Sequence, residues 1–197
     1  NDAGMGSAPT AAATADVSHP VKQGLVQMLS VFIDTLLICS ATAFIYLLSD
    51  VTPTAEIAGA AYVQQSLQST LGSFGPIFIA VSMSLFAFTT LIGNYSYCEG
   101  CLWYLLRKEP SKAVLFGFRI VASLLVLLGA VVQMGLVWNT ADMLQGLMVV
   151  IHIPVIVILA GTAVKTLKDY LSQKNAGADP VFKASSIGIK EKTDFWN

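Results

Sequence analysis

The chain has 197 residues, 55% of them hydrophobic and only 12% charged, with a formal net charge of −1 and a mean hydropathy of +0.68. Soluble domains carry about 25% charged residues, so this composition excludes an ordinary soluble domain. The near-zero charge sum does not identify partners, because in a membrane chain the position of each charge matters more than the total, and no nucleic-acid partner is expected.

Apolar stretches close to the roughly 20 residues that cross a bilayer recur along the chain. They predict an all-α, multi-span membrane protein with no soluble domain. Residues 1–15 open it with Asn1-Asp2-Ala3-Gly4-Met5-Gly6-Ser7-Ala8-Pro9 and the small-residue run Thr10 to Ala15. Glycine permits backbone angles other residues avoid, and proline removes an amide donor. At membrane depth, irregular backbone is tolerated only where protein buries it or it lines a water-filled cavity. Freed amides and carbonyls there can coordinate a cation or grip a zwitterion. We therefore expect residues 1–15 to form the cytoplasmic half of a broken transmembrane helix. Gly4, Gly6 and Ala8 could instead be a close-packing face for a neighbouring helix. The chain opens with neither an initiator Met nor a signal-peptide pattern, so a fragment lacking an N-terminal part is expected.

Asp16 to Lys22 reads as a polar turn, and a first full span is expected over 21–48, containing Asp34. A connection over 49–75 follows, with an amphipathic helix at 54–71: Ile57, Ala60, Ala61, Leu67 and Leu71 recur at helical spacing beside Gln64, Gln65 and Gln68. Further spans are expected over 76–106, 113–138 and 142–168, the last interrupted by Pro154. Arg107 to Lys112 and Asn139 to Asp142 are the expected turns, and 169–197 is a polar tail. All 11 Lys and Arg residues fall on one side of this arrangement. The 49–75 connection and the Asn139–Asp142 turn contain none, although they carry Asp50, Glu56 and Asp142. The positive-inside rule then puts the C-terminus in the cytoplasm and 49–75 outside. One broken helix plus four spans makes five, which suits one half of a 5+5 inverted-repeat transporter whose discontinuous helices meet at the midplane.

On the span over 76–106, Phe86, Thr89, Thr90, Gly93, Asn94 and Tyr97 share one face. The hydroxyls of Thr89 and Thr90, with the carbonyl of Phe86 one turn back, are hard oxygen ligands suited to a small cation. The competing reading is that both hydroxyls only bond their own helix carbonyls. Asn94 either reads a substrate or bonds to another helix. Asp34 and Glu99 are the carboxylates within spans, where a partner or a function is the default expectation. Cys98 and Cys101 form a C-x-x-C pattern with no second Cys or His pair nearby, so helix packing is preferred to metal binding. His152 and Ser7 invite a membrane hydrolase reading, but no nucleophile elbow accompanies them, and no enzyme is expected.

These residues resemble the sodium:alanine (alanine/glycine:cation) symporter family. The likeness is carried by Asn1 to Pro9, Ala11-Ala12-Ala13-Thr14-Ala15 and His19-Pro20-Val21-Lys22-Gln23-Gly24. Phe32-Ile33-Asp34-Thr35, Ala87-Phe88-Thr89-Thr90 to Asn94-Tyr95, Trp138-Asn139 through Asp142 and Asp179-Pro180-Val181-Phe182 extend it over essentially the whole chain. The resemblance implies a leucine-transporter-like (LeuT-like) fold, of which this chain is the second half beginning at the sixth core helix. It implies substrate binding by Asn1, Gly4, Gly6, Ser7 and Asn94, and a sodium site formed by Phe86, Thr89 and Thr90. Some relatives carry an aromatic residue where Asn94 stands, which keeps glutamine open beside alanine and glycine. The expected function is the C-terminal half of a sodium-coupled symporter importing small neutral amino acids by alternating access. Its expected partners are the amino acid, sodium, membrane lipid and the missing N-terminal half, in a cell membrane (the bacterial inner membrane) with the C-terminus cytoplasmic. A non-transporting membrane scaffold or channel subunit is the alternative.

Overall fold

A computed structural model describes residues 3–54, 57, 59–190, 193 and 195–196. Every regular element among them is helical: α1 (Ala8–Ala12), α2 (Pro20–Ile33), a π-helical stretch (Asp34–Cys39) leading into α3 (Ser40–Leu48), α4 (Ala60–Leu71), α5 (Phe74–Leu106), α6 (Lys112–Val131), α7 (Met134–Asn175) and a 3-10 turn (Ala184–Ile187). Four stretches are long and apolar enough to cross a membrane: Pro20–Leu48, Phe74–Leu106, Lys112–Val131 and Met134–Asn175. At 1.5 Å per residue, the 42 residues of α7 exceed the roughly 30 Å hydrocarbon layer. Its polar end, from Lys165 onward, therefore extends beyond the apolar part.

The chain divides into two compact units, Asn1–Leu29 with Trp103–Asn197, and Ser30–Leu102. In the second, the first span winds through the π-helical stretch that Asp34 opens. A π turn widens the helix locally and often marks a functional position. The amphipathic helix is shorter than the 54–71 expected. It starts at Ala60, because Gly59 sits at φ +59 and ψ −131, a conformation no helical residue adopts; Ala55, Glu56 and Ala58 lie outside the described residues. Tyr62 stacks on Tyr46 at 5.0 Å and donates its hydroxyl to the Val51 carbonyl at 2.9 Å, which ties the connection to the end of α3. A Cβ on Gly75 would come within 2.5 Å of the Leu67 carbonyl group, so glycine lets α5 start directly against α4, where Ser66 and Leu67 are buried.

In the first unit, Ser111 caps α6 by accepting from the Val114 amide. The turn expected at Asn139–Asp142 is helical instead, and α6 ends at Val131, not Trp138. The reason is local: that stretch has no glycine or proline, and Thr140 spends its hydroxyl on the Leu136 carbonyl at 2.8 Å. The chain breaks at Val132 and Gln133, both extended (ψ 151 and 130). The Gln133 carbonyl starts α7 by accepting from the Leu136 and Val137 amides.

The tail is not a loose polar extension. Asp179 to Lys190 folds back on the last turns of α7 and on the Ser18–Lys22 turn, and Trp196 joins it through Phe182 and Ala184. His19 has no exposed surface, and Thr166, Tyr170, Phe182 and Ala184 are buried as well. The His19 ring meets Tyr170 and Phe182 edge-on, each at 5.1 Å. Its Nδ1 accepts the Val21 amide at 3.2 Å, so the proton lies on Nε2, which donates to Asp169 Oδ2 at 3.3 Å. The same carboxylate oxygen accepts from Gln173 Nε2 at 2.9 Å. Gln173 in turn pairs with both backbone groups of Val181, and the Phe182 amide donates to the Ser18 carbonyl at 2.9 Å.

Candidate functional site

Residues 3–7, ahead of α1, are not helical. Ala3 to Gly6 form a turn, with Gly6 at φ +95, where an L side chain is strained. Pro9 then fits the first turn of α1, where its missing amide costs nothing. After five residues α1 ends, and the Thr14 hydroxyl and amide both bond the Ala11 carbonyl.

Against this turn lies His152 of α7. Its Nδ1 is 3.1 Å from the Gly4 carbonyl oxygen. A Cβ built on Gly6 would meet the ring's Cγ and Cδ2 at 3.1 Å. The Ser7 hydroxyl is buried and has no hydrogen-bond partner among the described residues. A buried hydroxyl left unmade costs free energy, and a polar solute is one way to satisfy it. Ser7 and His152 are not paired as a nucleophile and base: the imidazole holds the main chain at Gly4 instead. Asn1 lies outside the described residues.

Phe86, Thr89, Thr90 and Asn94 lie on α5, which is unbroken through this region. Thr89 Oγ1 is 3.0 Å from both the Leu85 and Phe86 carbonyl oxygens. The carbonyl of Phe86 thus shares a hydroxyl proton, and Thr89 faces the same helix that carries the other two oxygens. Phe86, Thr89, Thr90 and Asn94 are all exposed within the chain. Gly4, Gly6 and Ser7 belong to the first unit and these four to the second. Cys98 and Cys101 are free thiols, and no cluster of His, Cys, Asp or Glu able to hold a metal occurs among the described residues. Oxygen-rich chemistry from hydroxyls and carbonyls is what this chain offers.

Two histidines carry more than their sequence context suggests. His152 stands alone as a titratable residue in the apolar stretch Met143 to Val164, a signal that pointed to function without naming its contact. His19 sits in a polar turn, and nothing local announces its burial.

Helices of spanning length, with non-helical glycine backbone held against one of them, define an all-helical membrane protein. A model of the sodium:alanine symporter family matches residues 1–184. The chain belongs to that family. It is 45% identical over 196 residues to the amino-acid carrier protein AlsT of Bacillus subtilis, covering 100% of this chain and 41% of the relative. It is 48% identical over 196 residues to the probable sodium/glutamine symporter GlnT of the same organism, covering 100% and 40%. The sodium/proton-dependent alanine carrier protein of Bacillus sp. PS3 is 35% identical over 210 residues, covering 100% and 47%. The chain thus spans less than half the length of these relatives. No solved structure matches it.

Proposed function

We propose that this chain is the C-terminal half of a sodium-coupled symporter that imports small neutral amino acids by alternating access, built as the second half of a LeuT-like 5+5 fold. The observation that carries the reading is the unwound backbone before α1, with Gly6 at φ +95, in a chain of the sodium:alanine symporter family. Amides and carbonyls released there, together with Asn1 and the unpartnered Ser7 hydroxyl, bind the amino and carboxylate groups of the solute. Asn94 shapes the pocket around the side chain. Relatives named for alanine and for glutamine support a small neutral amino acid, and the second favours keeping glutamine among the substrates.

Sodium is the coupling solute, held by the Phe86 carbonyl and the hydroxyls of Thr89 and Thr90. The Thr89 hydroxyl lies within bonding distance of the Leu85 and Phe86 carbonyls of its own helix, so a sodium ion at this site requires its proton to go to Leu85 and leave the Phe86 oxygen to the cation. The first core helix, in the N-terminal half, completes the shell. One positive charge moving inward across 100 mV releases about 2.3 kcal/mol, enough for roughly fifty-fold accumulation. α4 serves in an extracellular lid, the spans lie in the cell membrane among lipid, and the tail faces the cytoplasm.

The test is uptake of labelled alanine, glycine and glutamine by the full-length protein in liposomes, with and without a sodium gradient. Gradient-driven uptake is expected for at least one of them. Thr89→Ala with Thr90→Ala abolishes the dependence on sodium; if it persists, the cation site lies elsewhere. No uptake by the intact protein would favour a scaffold or channel subunit.

A further inference from the structure

A main-chain segment that leaves the helix at membrane depth needs partners for its freed groups, because no water is there to supply them. Gly4 finds one in a side chain 148 positions away, the imidazole of His152. A carbonyl oxygen can only accept, so Nδ1 carries a proton and donates it to Gly4. The same ring lies against Gly6. Its Cγ and Cδ2 would be 3.1 Å from a Cβ there, and its own Cβ 3.5 Å. One side chain therefore does two things to the segment: it fixes the Gly4 carbonyl by a hydrogen bond and crowds position 6, where a Cβ would sit closer than ordinary contact. The neighbouring turn of α7 is itself open, since Pro154 lacks the amide that the Val150 carbonyl would accept. α7 can therefore adjust beside the ring without breaking a further bond.

We propose that His152 is a positioning residue for amino-acid binding, a prop on α7 that sets the pitch of the Gly4–Ser7 backbone. It touches no solute itself. By drawing the Gly4 carbonyl to α7, it leaves the Ser7 hydroxyl and the neighbouring amides as the groups available to the solute. This rests on the assignment of Gly4, Gly6 and Ser7 to the substrate site.

Two variants of the full-length protein test it. His152→Leu keeps an apolar side chain but removes the donor; His152→Asn restores an N–H two bonds from Cβ, where Nδ1 stood. Loss of one hydrogen bond that orders the site raises the KM for the transported amino acid about tenfold in His152→Leu, with kcat little changed, and His152→Asn recovers most of the loss. A residue serving only the folding of α7 would instead lower the amount of folded protein, with no rescue by Asn. Equal behaviour of the two variants, or an unchanged KM in His152→Leu, overturns the proposal. Hydrogen exchange at the Met5–Ser7 amides gives a readout independent of transport. Exchange is faster in His152→Leu and returns toward the wild-type rate in His152→Asn; identical exchange in all three proteins also overturns it. If the wild-type protein shows no sodium-driven uptake, the transport reading fails, and the exchange rates still decide whether His152 holds the segment.

Discussion

Gly6 concentrates three constraints on one position. Its φ of +95 disfavours any L side chain, the His152 ring crowds the space a Cβ would take, at 3.1 Å, and the next residue holds a buried hydroxyl with no partner among the described residues. We expect Gly6→Ala to cost about 1–2 kcal/mol in backbone strain alone. Because that strain falls on the segment we propose to bind the solute, initial uptake rates in liposomes should drop about tenfold or more, while the amount of protein in the membrane stays near wild type. Normal uptake by Gly6→Ala would mean that the segment bends elsewhere. The glycines were conspicuous in the sequence because an apolar chain rarely interrupts itself with them. Which glycine takes the left-handed conformation, and what presses on it, was not written there: Gly4 and Gly6 look alike in sequence, yet a Cβ on Gly4 would meet nothing within 4 Å.

Among the elements, the tail and the end of α7 form the best-packed assembly in the first unit. His19 is fully buried, with one nitrogen accepting from Val21 and the other donating to Asp169. The two histidines thus use Nδ1 in opposite ways: it accepts an amide in His19 and donates to a carbonyl in His152. Removing the His19 ring would open a cavity between Tyr170 and Phe182 and strand the Val21 amide. We expect His19→Ala to cost about 3 kcal/mol locally. The measurable consequence is rapid proteolytic cleavage between Ala178 and Lys190 in detergent-solubilised protein, where the wild type is resistant. The exposed pair Lys22–Asp179, though only 2.6 Å apart, contributes at most about 1 kcal/mol, so Lys22→Ala should leave the cleavage pattern nearly unchanged. Apolar length pointed to four spans, and four stretches of spanning length occur, but a polar run was mistaken for a turn. Asn139 to Asp142 looked like a loop by composition, and a helix absorbed them because Thr140 could bond backward to Leu136. The real break, at Val132–Gln133, carries neither glycine nor proline and gives no local signal.

At the scale of the whole chain, the spans are apolar and largely exposed. None of the most apolar window of three of them, and 6% of that of α5, is buried within the chain. Apolar faces of that extent require lipid or further protein against them. This accords with a chain that spans about two fifths of the length of AlsT and GlnT. The orientation we propose is directly measurable. A single cysteine at Lys183, in an otherwise cysteine-free full-length protein, should react with a membrane-impermeant maleimide only from the cytoplasmic side. One placed at Gln68 of α4 should react only from outside. The reverse pattern would invert the topology and with it the direction assigned to uptake.

What could be read without coordinates is what depends on short windows of chain. Some twenty apolar residues in a row mark a crossing, lysines and arginines confined to certain loops carry the proposed side, and a run of glycine and proline marks an interruption. Contacts between distant residues obey no such window. His19 and Asp169 stand 150 positions apart and His152 and Gly4 148, and no periodicity links them. The buried tail and the propped glycine turn therefore emerged only when the chain was folded, because burial and hydrogen bonding there depend on which distant backbone comes to lie alongside.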